Sequence, residues 1–125
     1  MDIARNLPLI ASGLIFLVGV GCGVGGLAIY GGKPSGWTDV VANDALLRRV
    51  SVGLLLTSAL LLASGISGAF RLPHAPIAGV IAIVLFVVGG FWGNYAVFGD
   101  IRPLHTGGNV VIATLILSML WASDP

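Results

Sequence analysis

Seven polar residues fall near one end of a set of apolar segments: Asn94, Asn109, His105, Asp100, Arg102, Arg48 and Arg49. Carboxamides and an imidazole close to lipid are costly unless satisfied, so such groups often mark a solute or ion path. Read that way, they form the entry site of a small carrier or channel for a neutral or anionic solute. The alternative is interfacial: the arginines snorkel, Asn94 and Asn109 bond each other across helices, and His105 caps a helix or faces water.

Other chemistry has less to stand on. No acid pair, activated nucleophile or metal cluster lies inside an apolar run, and Asp2, Asp39, Asp44, Asp100 and Asp124 all fall in termini or loops. Neither an enzyme nor a proton-coupled pump is expected. His74 and His105, the two histidines, are placed on opposite sides of the membrane, so neither a shared metal nor a bis-histidine haem is expected. Single-ligand binding of a haem or pigment by His105 is the weakest alternative; no cofactor is expected. The single cysteine, Cys22, has no partner for a disulfide and reads as a small packing residue.

Gly21-Cys22-Gly23-Val24-Gly25-Gly26 satisfies the G-x-G-x-x-G pattern of dinucleotide-binding folds. That chemistry needs a strand before the glycines and a helix starting among them. Here the glycines lie deep inside an apolar run, so close helix packing is the better reading. Glycines four apart let a second backbone approach, which is how membrane helices gain dispersion contacts where no hydrophobic effect drives them together. The first segment offers Gly19, Gly21, Gly23 and Gly25, and the third Gly89 and Gly93. The second carries a small, weakly polar face at Gly53, Thr57, Ser64 and Gly68.

The elements that must carry these residues follow from composition. Apolar residues make up 57% of the 125-residue chain and charged residues 9%, with a mean hydropathy of +1.04. A soluble domain of this size has too little interior for that much apolar surface. The charges fall between long uncharged runs, which reads as spans and loops. Net charge of +1 leaves no basic stripe, so nucleic acid is not an expected partner. Crossing the hydrocarbon core takes roughly 20 apolar residues, and helices are preferred because the runs are continuous and a helix satisfies its own backbone. The prediction is an all-α, single-domain membrane protein over residues 1–125, with four transmembrane helices near 7–32, 50–70, 75–98 and 104–122. Short second and third loops make neighbouring helices antiparallel hairpins. The longer loop 33–49 should lie at the interface or extend the second helix outward. Pro8 and Pro76 are placed in first helical turns. The first run is too long for a signal-peptide core and lacks a cleavage site, so it is read as a helix.

Lys33, Arg48, Arg49 and Arg102 on one side outnumber Arg5 and Arg71 on the other, which predicts non-cytoplasmic termini. A bacterial inner membrane is the expected location. Shifting the sequence by sixty-eight positions aligns Pro8 with Pro76, Gly21 with Gly89, Gly25 with Gly93, and Ala28-Ile29-Tyr30-Gly31 with Ala96-Val97-Phe98-Gly99. This reads as a parallel repeat of helices one and three, against the chance that apolar segments rich in Gly, Val and Ile align easily. A true repeat would place a crevice on the axis between hairpins.

No motif is specific enough to name a family; the signatures of fluoride channels and small multidrug exporters are missing. The leading expectation is a non-catalytic membrane protein that works by helix packing, as an accessory subunit of a larger complex or as a homo-oligomer. Its expected partners are the lipid bilayer and other transmembrane helices.

Overall fold

The computed structural model describes residues 3–37, 40–99 and 103–122, with the side chains of residues 3–5 and 103–105 outside that description. Four helices, α1 (Ile3–Tyr30), α2 (Asp44–Ala69), α3 (Ala75–Phe98) and α4 (Pro103–Ala122), follow in order, with no strand among the described residues. α1, α2 and α3 are long and apolar enough to cross a membrane. The all-helical bundle expected from the continuous apolar runs is the fold. Large hydrophobic side chains cover its outside, among them Leu17, Val24, Leu27, Val88 and Val111. A lipid solvent accommodates such a surface; in water it would be an aggregation site.

Local chemistry sets the ends. Asn43 caps α2, its side chain accepting from the Leu46 amide at 2.8 Å, so the helix starts ahead of its apolar stretch and carries Asp44, Arg48 and Arg49 on its first turns. The polar half of the expected loop is therefore helix, the second of the two arrangements foreseen for it. Gly99 ends α3 in the left-handed region at φ 76, its amide donating to the Tyr95 carbonyl at 2.8 Å, a cap that glycine adopts without a Cβ penalty. Pro76 sits in the first turn of α3. Pro8 is a correction: α1 begins at Ile3, so the proline lies inside the helix, where it leaves the carbonyl four residues back without a donor.

The helices stand as a ring in chain order, with α1 and α3 on one diagonal. α1 and α2 make by far the most intimate pair. Ser12, Gly19 and Gly26 recur every seven residues on α1 and oppose Gly65, Ser58 and Ser51, equally spaced on α2. A seven-residue repeat holds one seam against its partner along the whole length of a helix pair. Ser58 Oγ donates to the Gly19 carbonyl and Ser51 Oγ to the Gly26 carbonyl, both at 2.6 Å. Methyl groups at Gly19, Gly26 or Gly65 would stand about 3 Å from atoms of the facing helix. α3 and α4 close the ring through Ile83, Phe86 and Ile116, packed on Ile15 and Leu61.

The connection after α1 folds back over one end of the bundle. Val41 and Ala42 donate their amides to the Val97 carbonyl at 2.9 and 3.3 Å, Val40 and Ala42 pack on Ile29 and Val97, and the Trp37 ring lies 5.9 Å from that of Phe98. The Arg48 guanidinium sits 5.5 Å above the Tyr30 ring, a cation–π contact on the same end.

Candidate functional site

Under that end is a cavity of about 270 Å³, to which all four helices contribute. Five glycines open it: Gly25 from α1, Gly53 from α2, and Gly89, Gly90 and Gly93 from α3. Methyl groups at Gly53 and Gly89 would meet nothing within 4 Å, and one at Gly25 only Leu54 Cδ1 at 4.0 Å. Bulk missing at these three positions is not filled by a neighbouring helix, so Gly25, Gly53 and Gly89 leave space. Gly25 and Gly93, together with Ile29 and Val97, align at the sixty-eight-residue shift, and both members of each pair line the cavity. The crevice thus stands between the two diagonal helices.

Two carboxamides converge on its wall. Asn94 Nδ2 donates to the Gly90 carbonyl at 2.8 Å, a bond within α3, which leaves Oδ1 without a donor among the described residues. Asn109 from α4 brings its Nδ2 to 3.0 Å from where a Cβ on Gly90 would stand. It is half-buried and makes no hydrogen bond to a described residue. A carboxamide carries two N–H donors and a carbonyl acceptor, and leaving such groups unpaired in apolar surroundings costs on the order of 1–3 kcal/mol. A guest with one acceptor and one donor would remove that cost. Thr57, the other polar group on the wall, spends its hydroxyl proton on the Gly53 carbonyl at 2.8 Å.

The remaining wall is apolar and aromatic, with Cys22, Phe86, Trp37, Trp92 and Phe98. No charged side chain among the described residues lines it. The volume equals that of about nine waters of liquid. The space therefore suits a compact neutral molecule with an apolar body and a hydrogen-bonding end.

Of the seven polar residues singled out in the sequence, Asn94 and Asn109 meet at this cavity. Arg48 and Arg49 are exposed on the outside of α2, His105 belongs to α4 with its side chain outside the description, and Asp100 and Arg102 lie outside the described residues. The small residues divide. Gly19 and Gly23 meet α2, and Gly68 meets Ser12; Gly25, Gly53, Gly89, Gly93 and Thr57 line the cavity; Gly21 faces open space; Ser64 is buried between helices. Residues not anticipated are Ser12, Ser51 and Ser58 in the α1–α2 seam, and Gly90, whose spacing of four from Asn94 is a signal present in the sequence. Among the described residues no cluster of three His, Cys, Asp or Glu side chains offers a metal site. No known protein family, curated protein or solved structure matches the chain.

Proposed function

We propose that this chain is a small multi-pass membrane protein, crossing the bilayer four times, that takes a small neutral solute into the crevice between its helices and acts as its carrier or channel. One observation carries the reading: Asn109, half-buried and without a partner among the described residues, converges with Asn94 on a glycine-lined cavity whose described lining carries no charge. Intramembrane polar groups persist where a function uses them. The close-packed glycines of the α1–α2 seam are consumed within the chain, which leaves fewer of the small residues for a partner.

A second reading, an accessory subunit or homo-oligomer held by helix packing, rests on Gly13 and Gly21. Both are exposed on α1, and methyl groups there would meet nothing within 4 Å, so another helix could approach that face closely.

Mild extraction of the tagged chain from native membranes separates the two. Size, protein identification and small-molecule mass spectrometry would be read on the same material. A co-purifying neutral molecule that is lost from Asn109→Leu and from Gly89→Leu supports the crevice. Stoichiometric partner chains, with no small molecule and no effect of either substitution, would sink the crevice reading and favour the second.

A further inference from the structure

At the opposite end of the bundle a larger cleft, about 1120 Å³, runs among α1, the end of α2, the start of α3 and the end of α4. Its walls are apolar, with Ile15, Val80 and Leu120 among them, and its rim carries Arg71 and Trp121. Arg71 is the single charged side chain lining it among the described residues. Ser64, 4% exposed, forms part of the same cleft's lining, and its Oγ has no hydrogen-bond partner among the described residues. Buried hydroxyls are nearly always paired, so an orphan facing a cleft points to a guest that supplies an acceptor.

Arg71 holds an unusual position. It follows the end of α2 with φ 55, its amide donating to the Gly68 carbonyl at 3.0 Å and that of Leu72 to the Ser67 carbonyl at 3.1 Å. These two bonds are the Schellman ending of a helix, whose left-handed residue is ordinarily glycine because any Cβ is strained there. The chain places a guanidinium at the mouth of an apolar cleft at a backbone cost that glycine would remove. Strain of this kind is found where a side chain is put to use.

We propose that this cleft binds one anionic glycerophospholipid, its phosphate on Arg71, an ester carbonyl accepting from the Ser64 hydroxyl and an acyl chain along the apolar wall. Ser64 precedes Arg71 by seven residues, about 10 Å of helix, a separation that the long arginine side chain and the glycerol backbone of a lipid span together. An arginine fork matches phosphate geometry, and the exposed indole of Trp121 belongs at the headgroup level. A free fatty acid offers one polar end and leaves Ser64 unsatisfied.

Trp121 reports on the site directly. In a Trp37→Phe, Trp92→Phe background, the full chain in nanodiscs is titrated with phosphatidylglycerol brominated on its acyl chains, with brominated phosphatidylcholine, or with dibromostearate, and quenching of Trp121 is read. Phosphatidylglycerol should quench at about fivefold lower mole fraction than phosphatidylcholine, the effect of one basic side chain on an anionic lipid. Arg71→Gly should erase that preference while leaving the helical signal and its unfolding midpoint unchanged or raised, since glycine suits the left-handed turn. Val80→Phe, which adds bulk to an exposed position on the cleft wall, should weaken quenching by both phospholipids. Equal quenching by the two phospholipids, or a preference that survives Arg71→Gly, overturns the proposal. So does dibromostearate outcompeting phosphatidylglycerol with no effect of Ser64→Ala, which would assign the cleft to fatty acid.

Discussion

Gly65→Ala adds one methyl group where Phe16 Cβ and the Ser12 carbonyl oxygen stand 2.9 Å away and the Phe16 amide nitrogen 3.0 Å. Two of these three atoms are backbone, so no rotamer change relieves the clash and α1 must move. Alanine favours the helix over glycine by about 1 kcal/mol. Against this, overpacking a tight contact costs about 1–3 kcal/mol. Displacing α1 also loosens the two serine bonds that cross the seam, to Gly19 and Gly26, each worth roughly 0.6 kcal/mol inside a membrane. The clash wins, and the variant should lose on the order of 1–2 kcal/mol, about a tenfold drop in the folded-to-unfolded ratio. Gly21→Ala is the matched control: the same change on α1 meets nothing within 4 Å and should be neutral or stabilising by up to about 1 kcal/mol. Reversible unfolding in mixed micelles with rising denaturing detergent, followed by far-ultraviolet circular dichroism, measures both. A Gly65→Ala protein as stable as the parent, or a Gly21→Ala protein equally weakened, would refute the seam as the close contact of this bundle.

Ser58→Ala should cost about 0.6 kcal/mol in the same assay by deleting the bond to Gly19, and Ser58→Ala/Ser51→Ala about twice that if the two bonds are independent. Asn109→Leu should leave folding intact or improved, because it removes an unpartnered amide, yet abolish retention of any crevice guest in the extraction experiment. Trp37→Ala removes the ring beside Phe98 that roofs the crevice; alkylation of Cys22, the single cysteine and part of the cavity wall, should then be severalfold faster by mass spectrometry, and an unchanged rate would show that the connection after α1 does not guard the cavity. Ser35→Cys and His74→Cys, each in a Cys22→Ala background, should react with an impermeant maleimide from opposite sides, with Ser35 cytoplasmic if the excess of basic residues sets the orientation.

The partition of glycines shows where sequence reasoning stopped. Gly21 and Gly23 share a segment, a residue type and a spacing pattern, yet a methyl group on Gly23 would meet Ser58 Oγ at 2.9 Å and one on Gly21 nothing. Two residues along a helix is more than half a turn, so which of them faces the neighbour depends on a rotation that spacing alone does not set. The seven-residue recurrence of Ser12, Gly19 and Gly26 against Gly65, Ser58 and Ser51 was present in the chain. It becomes visible only once α1 and α2 are laid antiparallel in register. The extra first turns of α2 were one of two arrangements the sequence left open: Asp44, Arg48 and Arg49 resemble loop by hydropathy, and the Asn43 cap outweighs that polarity.

By itself the sequence determined the number of helices, their all-α class and, for α3, both ends, because continuous apolar runs in lipid leave the backbone no other partner than itself and Gly99 stops the run. It also singled out Asn94 and Asn109 as polar groups in expensive places. Only the tertiary structure decided that these two meet at one cavity while Arg48 and Arg49 stay on the outer surface. It likewise decided that one set of glycines closes a seam and another opens a crevice, and that Arg71 takes a glycine's place above a second cleft. Each of these depends on the rotation and register of one helix against another, which dispersion packing and a few buried hydroxyls set in three dimensions and which no local pattern encodes.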